Sequence, residues 1–371
     1  MGKDYSSDME NPLGQGLRGL PGPLLLTGHT GFKGTWMTFL LEHLNVPVIG
    51  YSLPPEKESL FDRAQRLGAI PEVFADIRDY KALEEFIELH KPSTIIHMAA
   101  QPLVLKSYQS PRETFDVNVM GTVNVLDVAF KKNFVQAVIV VTTDKVYRND
   151  NSGKPFIESD PLEGKDPYSA SKVGTEAVIS AWQQISRTVG GPKVASVRAG
   201  NVIGGGDFAE DRIIPDLIRG VQNKVAPEIR NPLSTRPWQH VLDPLTGYLQ
   251  VLEALLNQMY IKSVNFGPDG DPINVETLIR IFESQFATSI TKKSLTQPQS
   301  TSMEFEAQLL SLDSSIAKEY IGWNSIYSQE DAIRITAKWW HEYLLNLKTP
   351  SYLIQEEVIL HQNLWHEGQI K

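Results

Sequence analysis

Tyr168 and Lys172 stand four positions apart in the segment YSASK. On a helix that spacing is about one turn, so the phenol and the ammonium share a face. An ammonium beside a tyrosine lowers the phenol's pKa, and so does a cationic nicotinamide ring. The phenol then takes a proton from a substrate hydroxyl while hydride leaves the carbon. A second reactive group, Thr143-Asp144-Lys145, follows the apolar run AVIVV. Thr143 suits a hydrogen bond to the same substrate hydroxyl as Tyr168. Asp144 and Lys145 add an acid and a base that plain oxidation of an alcohol does not need. They point to a second proton-transfer step, such as an elimination. The plain alternatives are an exposed helix pair for Tyr168 and Lys172 and a solvated turn for Asp144 and Lys145.

Hydride chemistry needs a dinucleotide, and LLLTGHTGFKG reads as a strand, a glycine turn and a helix start. Gly28 allows the tight turn, Gly31 lets backbone approach a diphosphate, and Gly34 permits close helix–sheet packing. The end of the second strand, Tyr51-Ser52-Leu53, carries neither an acid nor an arginine. These residues therefore leave NAD and NADP equally open. Asp76-Ile77 suits the adenine edge, with a helix cap as the other use for Asp76. His97-Met98-Ala99-Ala100-Gln101 ends a further strand in small residues, as a wall beside the nicotinamide requires.

The elements that would position these groups alternate. Strands are expected at Leu24–Thr27, Val46–Tyr51, Glu72–Ala75, Thr94–Met98, Ala137–Thr143 and Val194–Arg198. Helices are expected at Thr35–His43, Tyr80–His90, Asn118–Lys132 and Tyr168–Arg187. That pattern predicts an α/β fold, a doubly wound parallel Rossmann sheet, with a smaller C-terminal substrate-binding lobe. The expected organisation is a loose N-terminal arm over 1–21, a dinucleotide-binding domain over 22–200, a mainly substrate-binding lobe over 201–347 and a C-terminal extension over 348–371. In the lobe, short helices are expected near Val275–Gln285 and Ser328–Leu347, and Gly204-Gly205-Gly206 reads as a flexible turn. The extension shows no clear period and reads as a tail that packs on the body or on a partner chain.

The chain has 371 residues, 41% hydrophobic and 21% charged, with net charge −9 and no cysteine. The charge disfavours nucleic acid and anionic membranes as main partners. The missing cysteines exclude disulfides and thiol catalysis. Eight scattered histidines lack metal-ligand spacing, so no metal is expected. No apolar run approaches the length of a membrane span. A cytoplasmic location is the default expectation. Arg212 and Arg236 fit paired phosphate oxygens of a substrate. Asn201 is a candidate for a phosphate or sugar oxygen, and Trp238 and His240 for shaping the pocket or holding Arg236.

The motifs TGHTGFKG, HMAAQPLV, NVMGT, TTDKVY, YSASK, VRAGNVIGGGD, DRIIPD and NPLSTRPWQHVLDP occur in this order. Together they resemble the extended short-chain dehydrogenase/reductase (NAD-dependent epimerase/dehydratase) family. Within it they look like the CDP-glucose 4,6-dehydratases, over roughly residues 22–345. The resemblance implies NAD as cofactor. On the matching positions it adds Thr30, Phe32, Ser52 and Asn118 to the cofactor residues and Asn201, Arg212, Arg236 and His240 to a nucleotide-sugar site. It implies oxidation at carbon 4 by Tyr168, elimination across carbons 5 and 6 with Asp144 as acid and Lys145 as base, and hydride return to carbon 6. The nucleobase rests on the resemblance alone. It also implies a homodimer or homotetramer, pairing through helices over 168–187 and 107–132. Competing readings are a nucleotide-sugar epimerase or reductase, another NDP-hexose 4,6-dehydratase, and a catalytically silent NAD(P)-binding regulator.

Overall fold

Seven short strands pair in parallel in the computed structural model, which describes residues 13–225, 227, 229, 231–286 and 309–369. They are β1 (Leu24–Thr27), β2 (Val48–Ser52), β3 (Glu72–Phe74), β4 (Thr94–His97), β5 (Ala137–Val141), β6 (Lys193–Ala199) and β7 (Ser263–Phe266). Their order is β7-β6-β5-β4-β1-β2-β3. Both faces are covered, so the strands read as continuous apolar runs. Along β1, Leu24 and Leu26 enter one buried cluster and Leu25 the other. In β5, Ala137, Ile139 and Val141 face one way and Val138 and Val140 the other. The chain leaves β1 to one side for β2 and returns on the other for β4. The crevice at the carboxyl ends of β1 and β4 is therefore the switch point where such sheets bind ligands.

Two helices matter most to that crevice. Phe32–His43 follows β1 directly, and no side chain caps it. Pro167–Val189 begins at a reciprocal cap: Asp166 accepts from the Ser169 amide, and Ser169 bonds back to the Asp166 amide. Pro167 fits the first helical position because its missing N–H would have no partner there. This start places Tyr168 in the first turn and Lys172 one turn on. The helix expected over Asn118–Lys132 is split: a π-helical turn, Asp116–Met120, precedes the α-helix Gly121–Phe130.

The residues after 200 add helices Ile213–Asn223, Leu242–Leu256, Val275–Glu283 and Gln329–Leu344. Two short ladders join them: Asn201–Ile203 with Trp238–His240 in parallel, and Thr235–Arg236 with Ile273–Asn274 antiparallel. One buried cluster runs from Leu24 and Leu26 through Trp36 to Trp339 and Trp340, so packing is continuous across the boundary placed at 200.

Three expectations change. Leu13 and Leu17, placed in a loose arm, are buried in the main core around a short helix, Gln15–Arg18; residues 1–12 lie outside the described set. The C-terminal extension is a helix, Pro350–Gln369, packed on Phe32–His43 of its own chain. Its inner face is Leu353, Ile354, Val358, His361, Gln362 and Trp365. Two polar residues on that face broke the apolar period. His361 is held by Asp243 at 2.9 Å and His240 by Glu357 at 3.0 Å. Finally, the glycine turn is tightly packed. A Cβ on Gly205 would stand 1.9 Å from Trp339, and one on Gly206 2.3 Å from Leu60.

Gly205→Ala is expected to cost about 1–3 kcal/mol by overpacking. The check is a drop in thermal midpoint that Gly204→Ala, whose nearest neighbour is a Val241 methyl at 2.9 Å, produces to a smaller degree.

Candidate active site

The loop between β1 and Phe32–His43 forms because three glycines let backbone meet backbone. Gly28 sits at φ 74°, and a Cβ there would lie 2.8 Å from the Ala99 amide nitrogen. A Cβ on Gly34 would lie 2.1 Å from the Gly28 carbonyl oxygen. The Thr27 hydroxyl accepts from the amides of Met98 and Ala99, both at 3.1 Å, and locks the ends of β1 and β4 together. Beneath them His97 bonds Thr27 and Thr122, and burial depresses its pKa to about 3, so it is neutral. The uncapped N-terminus at Gly31-Phe32 supplies amides and a dipole of the sign that a diphosphate needs.

At one end of the crevice the hydroxyls of Thr30 and Ser52 bond at 2.8 Å, and Thr30 donates to the Leu53 carbonyl. Asp76 pairs with Arg78 at 2.6 Å, and its carbonyl accepts from the Tyr51 hydroxyl. The cap of the next helix is Asp79, which accepts from the Ala82 amide, so the capping alternative for Asp76 falls away. Ile77 is buried and packs where a Cβ on Gly121 would meet it at 2.7 Å. Beyond Ala99 and Ala100, the Asn118 side chain accepts from the Gln101 amide and donates to the Gln101 carbonyl and the Ser171 hydroxyl. The π-helical turn carries Asn118 to this position, as such turns often do at functional sites. These groups fit a dinucleotide: open amides for the diphosphate, polar groups at one end and small residues at the other.

At the other end, Thr143 opens a single 3₁₀ turn, Asp144–Val146. Its hydroxyl donates to Asp144 Oδ1 at 3.0 Å and accepts from the Lys145 amide. Asp144 is 1% exposed, and its Oδ2 has no hydrogen-bond partner among the described residues. Gly200 faces that oxygen; a Cβ there would stand 3.1 Å away. Lys145 turns its amine toward Asp144, 4.0 Å from Oδ1, with a third of the side chain exposed. The buried Tyr168 phenol is pushed up to about 12, first by loss of solvent; a hydrogen bond with Thr143 pulls it down and the Asp144 charge pushes it up. Lys172 donates to the Val141 carbonyl at 3.0 Å, and burial lowers its own pKa to about 8 against the pull of Glu176.

Arg212 is held by Asp207 at 2.7 Å, and its charge is felt by Tyr168. Arg236 is buried and donates to the Thr235 carbonyl. The Asn201 side-chain oxygen is buried without a hydrogen-bond partner among the described residues. His240 does not belong with them. It is fully buried between Trp36, Tyr327 and Glu357, so its part in substrate binding is withdrawn. Trp238 donates its indole N–H to the Ile273 carbonyl and is structural.

Three side chains were missed. Lys33, inside the glycine loop, reaches Tyr248 at 3.3 Å in the cleft. Glu176, one turn beyond Lys172, binds Arg198 through both oxygens at 2.8 Å and accepts from Thr142 and Ser196. His29 lies under the loop, bonded to Glu72 and stacked on Phe74. The spacing Lys172-x-x-x-Glu176 was the available signal for the second; a cation at a helix start was the signal for the first. Among the described residues no helix is long and apolar enough to cross a membrane.

Residues 24–265 match the model of the NAD dependent epimerase/dehydratase family. The chain is similar to the CDP-glucose 4,6-dehydratase of Salmonella typhimurium, 39% identical over 85% of this chain and 89% of that protein. A dTDP-glucose 4,6-dehydratase of Haemophilus influenzae is 26% identical over 87% and 98%. Among solved structures, the dTDP-glucose 4,6-dehydratase of Streptomyces venezuelae with NAD and TYD bound superposes with a TM-score of 0.74 at 25% identity, covering 86% of this chain and 97% of that one.

Tyr168→Phe is expected to lower kcat by about 10²–10⁴-fold, measured at saturating substrate with unchanged far-UV circular dichroism. Lys172 carries its charge below about pH 8 and loses it above. The pH–rate profile should therefore fall through that region as pH rises, and in Lys172→Arg any residual activity should lack this limb.

Proposed function

The chain belongs to the NAD dependent epimerase/dehydratase family, and from that premise we propose that it dehydrates CDP-D-glucose to CDP-4-keto-6-deoxy-D-glucose and water. It is an NAD-dependent enzyme whose substrate is a nucleotide-activated hexose. When bound, NAD would supply a hydride acceptor for carbon 4 and a hydride donor for carbon 6, with no net redox change. The observation that carries the dehydratase reading is Asp144, a buried carboxyl with one unpartnered oxygen beside the Lys145 amine. An epimerase has no use for that pair, because it removes no water.

Tyr168, aided by Thr143, takes the proton of the 4-hydroxyl as carbon 4 becomes a ketone. The ketone acidifies the proton on carbon 5. Lys145, as the neutral amine, removes it. The proton that Tyr168 took passes through Thr143 to the Asp144 carboxylate, which gives it to the 6-hydroxyl, and water leaves. The Lys145 ammonium then returns its proton to carbon 5. Thr143 is bonded to Asp144, which links the oxidation and elimination groups through one hydroxyl. Arg212, Arg236 and Asn201 hold the sugar diphosphate. The cytidine preference is supported by the 39% identical relative.

We also read the protein as a cytoplasmic homodimer or homotetramer formed through helices over 107–132 and 168–187, where Phe115, Met120 and Ile185 are each about two-fifths to half exposed. Sedimentation as a monomer at micromolar concentration would sink this.

With CDP-glucose the enzyme is expected to give the alkaline absorbance of a 4-keto-6-deoxy sugar, and with dTDP- or UDP-glucose a much lower kcat/KM. Lys145→Met should stop solvent deuterium from entering carbon 5 while bound NAD is still reduced. Full turnover in that variant refutes the acid–base assignment. Equal turnover with dTDP-glucose refutes the nucleobase alone.

A further inference from the structure

Lys33 is the second residue of Phe32–His43, where the helix dipole disfavours a cation. Its ammonium runs away from the loop to the Tyr248 hydroxyl at 3.3 Å, 5.5 Å from the centre of that ring. Tyr248 is wholly buried on Leu242–Leu256 and feels the charge state of Tyr168. Among the described residues no carboxylate lies within ion-pair distance of Lys33. The charges that act on it are Lys172 and Arg212, which repel it, and Asp144, which attracts it. Burial and those two cations lower its pKa to about 7. The ammonium therefore stands in the reaction cleft among Lys172, Arg212, Asp144, Tyr168 and Tyr248. One long hydrogen bond gives little return for placing a third cation there.

We propose that Lys33 discriminates between the two oxidation states of the cofactor: its ammonium disfavours the cationic nicotinamide of NAD⁺ and leaves the neutral ring of NADH unpenalised. Hydride chemistry by Tyr168 puts the nicotinamide end in this cleft. Like charges in one low-dielectric cleft repel, whereas a neutral ring meets no such penalty. The inference deepens the dehydratase reading. During elimination the enzyme must keep the reduced cofactor beside the 4-ketone, and a bias toward the reduced state does this. It rests on that reading only for this consequence, since the binding test uses no sugar and its failure leaves the reaction assignment standing.

The experiment titrates the full-length, cofactor-stripped chain with NAD⁺, NADH and ADP-ribose by calorimetry near pH 6, where Lys33 is charged. Lys33→Met is expected to tighten NAD⁺ by about tenfold or more and to leave NADH and ADP-ribose within about twofold. Lys33→Arg should keep the wild-type ratio of the two Kd values. Weakening of all three ligands together overturns the proposal and makes Lys33 a diphosphate ligand. An unchanged NAD⁺ to NADH ratio overturns it as well. Thermal melts of each variant establish that it is folded, with Lys33→Gln as the substitute if the methionine variant is not.

Discussion

Glu176 and Arg198 form a two-point ion pair that solvent does not reach, and the catalytic end of the molecule is arranged around it. Burial pushes the Glu176 carboxyl up, but the guanidinium and the hydroxyls of Thr142 and Ser196 more than offset this and keep it ionised. Those contacts tie Pro167–Val189 to the end of β5 and the middle of β6. Arg198 also donates to the Tyr147 hydroxyl, which donates to Asn265 on β7. One helix and three strands are thereby held in a single register. Such a pair adds little net stability over an apolar substitute, yet losing either member leaves a buried charge at a cost of about 3–5 kcal/mol. Its value here is positional: it fixes the helix face that presents Tyr168 and Lys172 to Thr143 and Asp144.

The cleft it organises gathers charges of both signs. Lys172 and Arg212 repel Lys33 and Asp144 attracts it, while Asp207 holds Arg212 and Glu176 acts on Lys172. The cations suit a diphosphate-bearing substrate. The same cations work against a positively charged ring. Net charge −9 for the whole chain does not reveal this grouping.

Local pattern carried most of the frame. Tyr80–His90 agrees at both ends with the sequence expectation, and β1 does likewise, because a clear cap or glycine bounds each. The glycine loop, Thr143-Asp144 and Tyr168-Lys172 were legible because their chemistry needs fixed spacing. What escaped were contacts between residues remote in the chain. His240 looked like a pocket residue because it follows Arg236 and Trp238, but its ring is buried against Glu357, 117 positions away. Lys33, between Gly31 and Gly34, was given no role. The last helix was missed because His361 and Gln362 occupy its buried face, and only Asp243 explains a histidine there.

That last helix has a bearing on how the molecule is held together. Pro350–Gln369 lies on Phe32–His43, the helix that opens at the glycine loop. The helix that opens at the glycine loop is therefore braced by a segment remote from it in the chain. Loosening that packing would keep every reactive side chain and still unsettle the element that follows the loop.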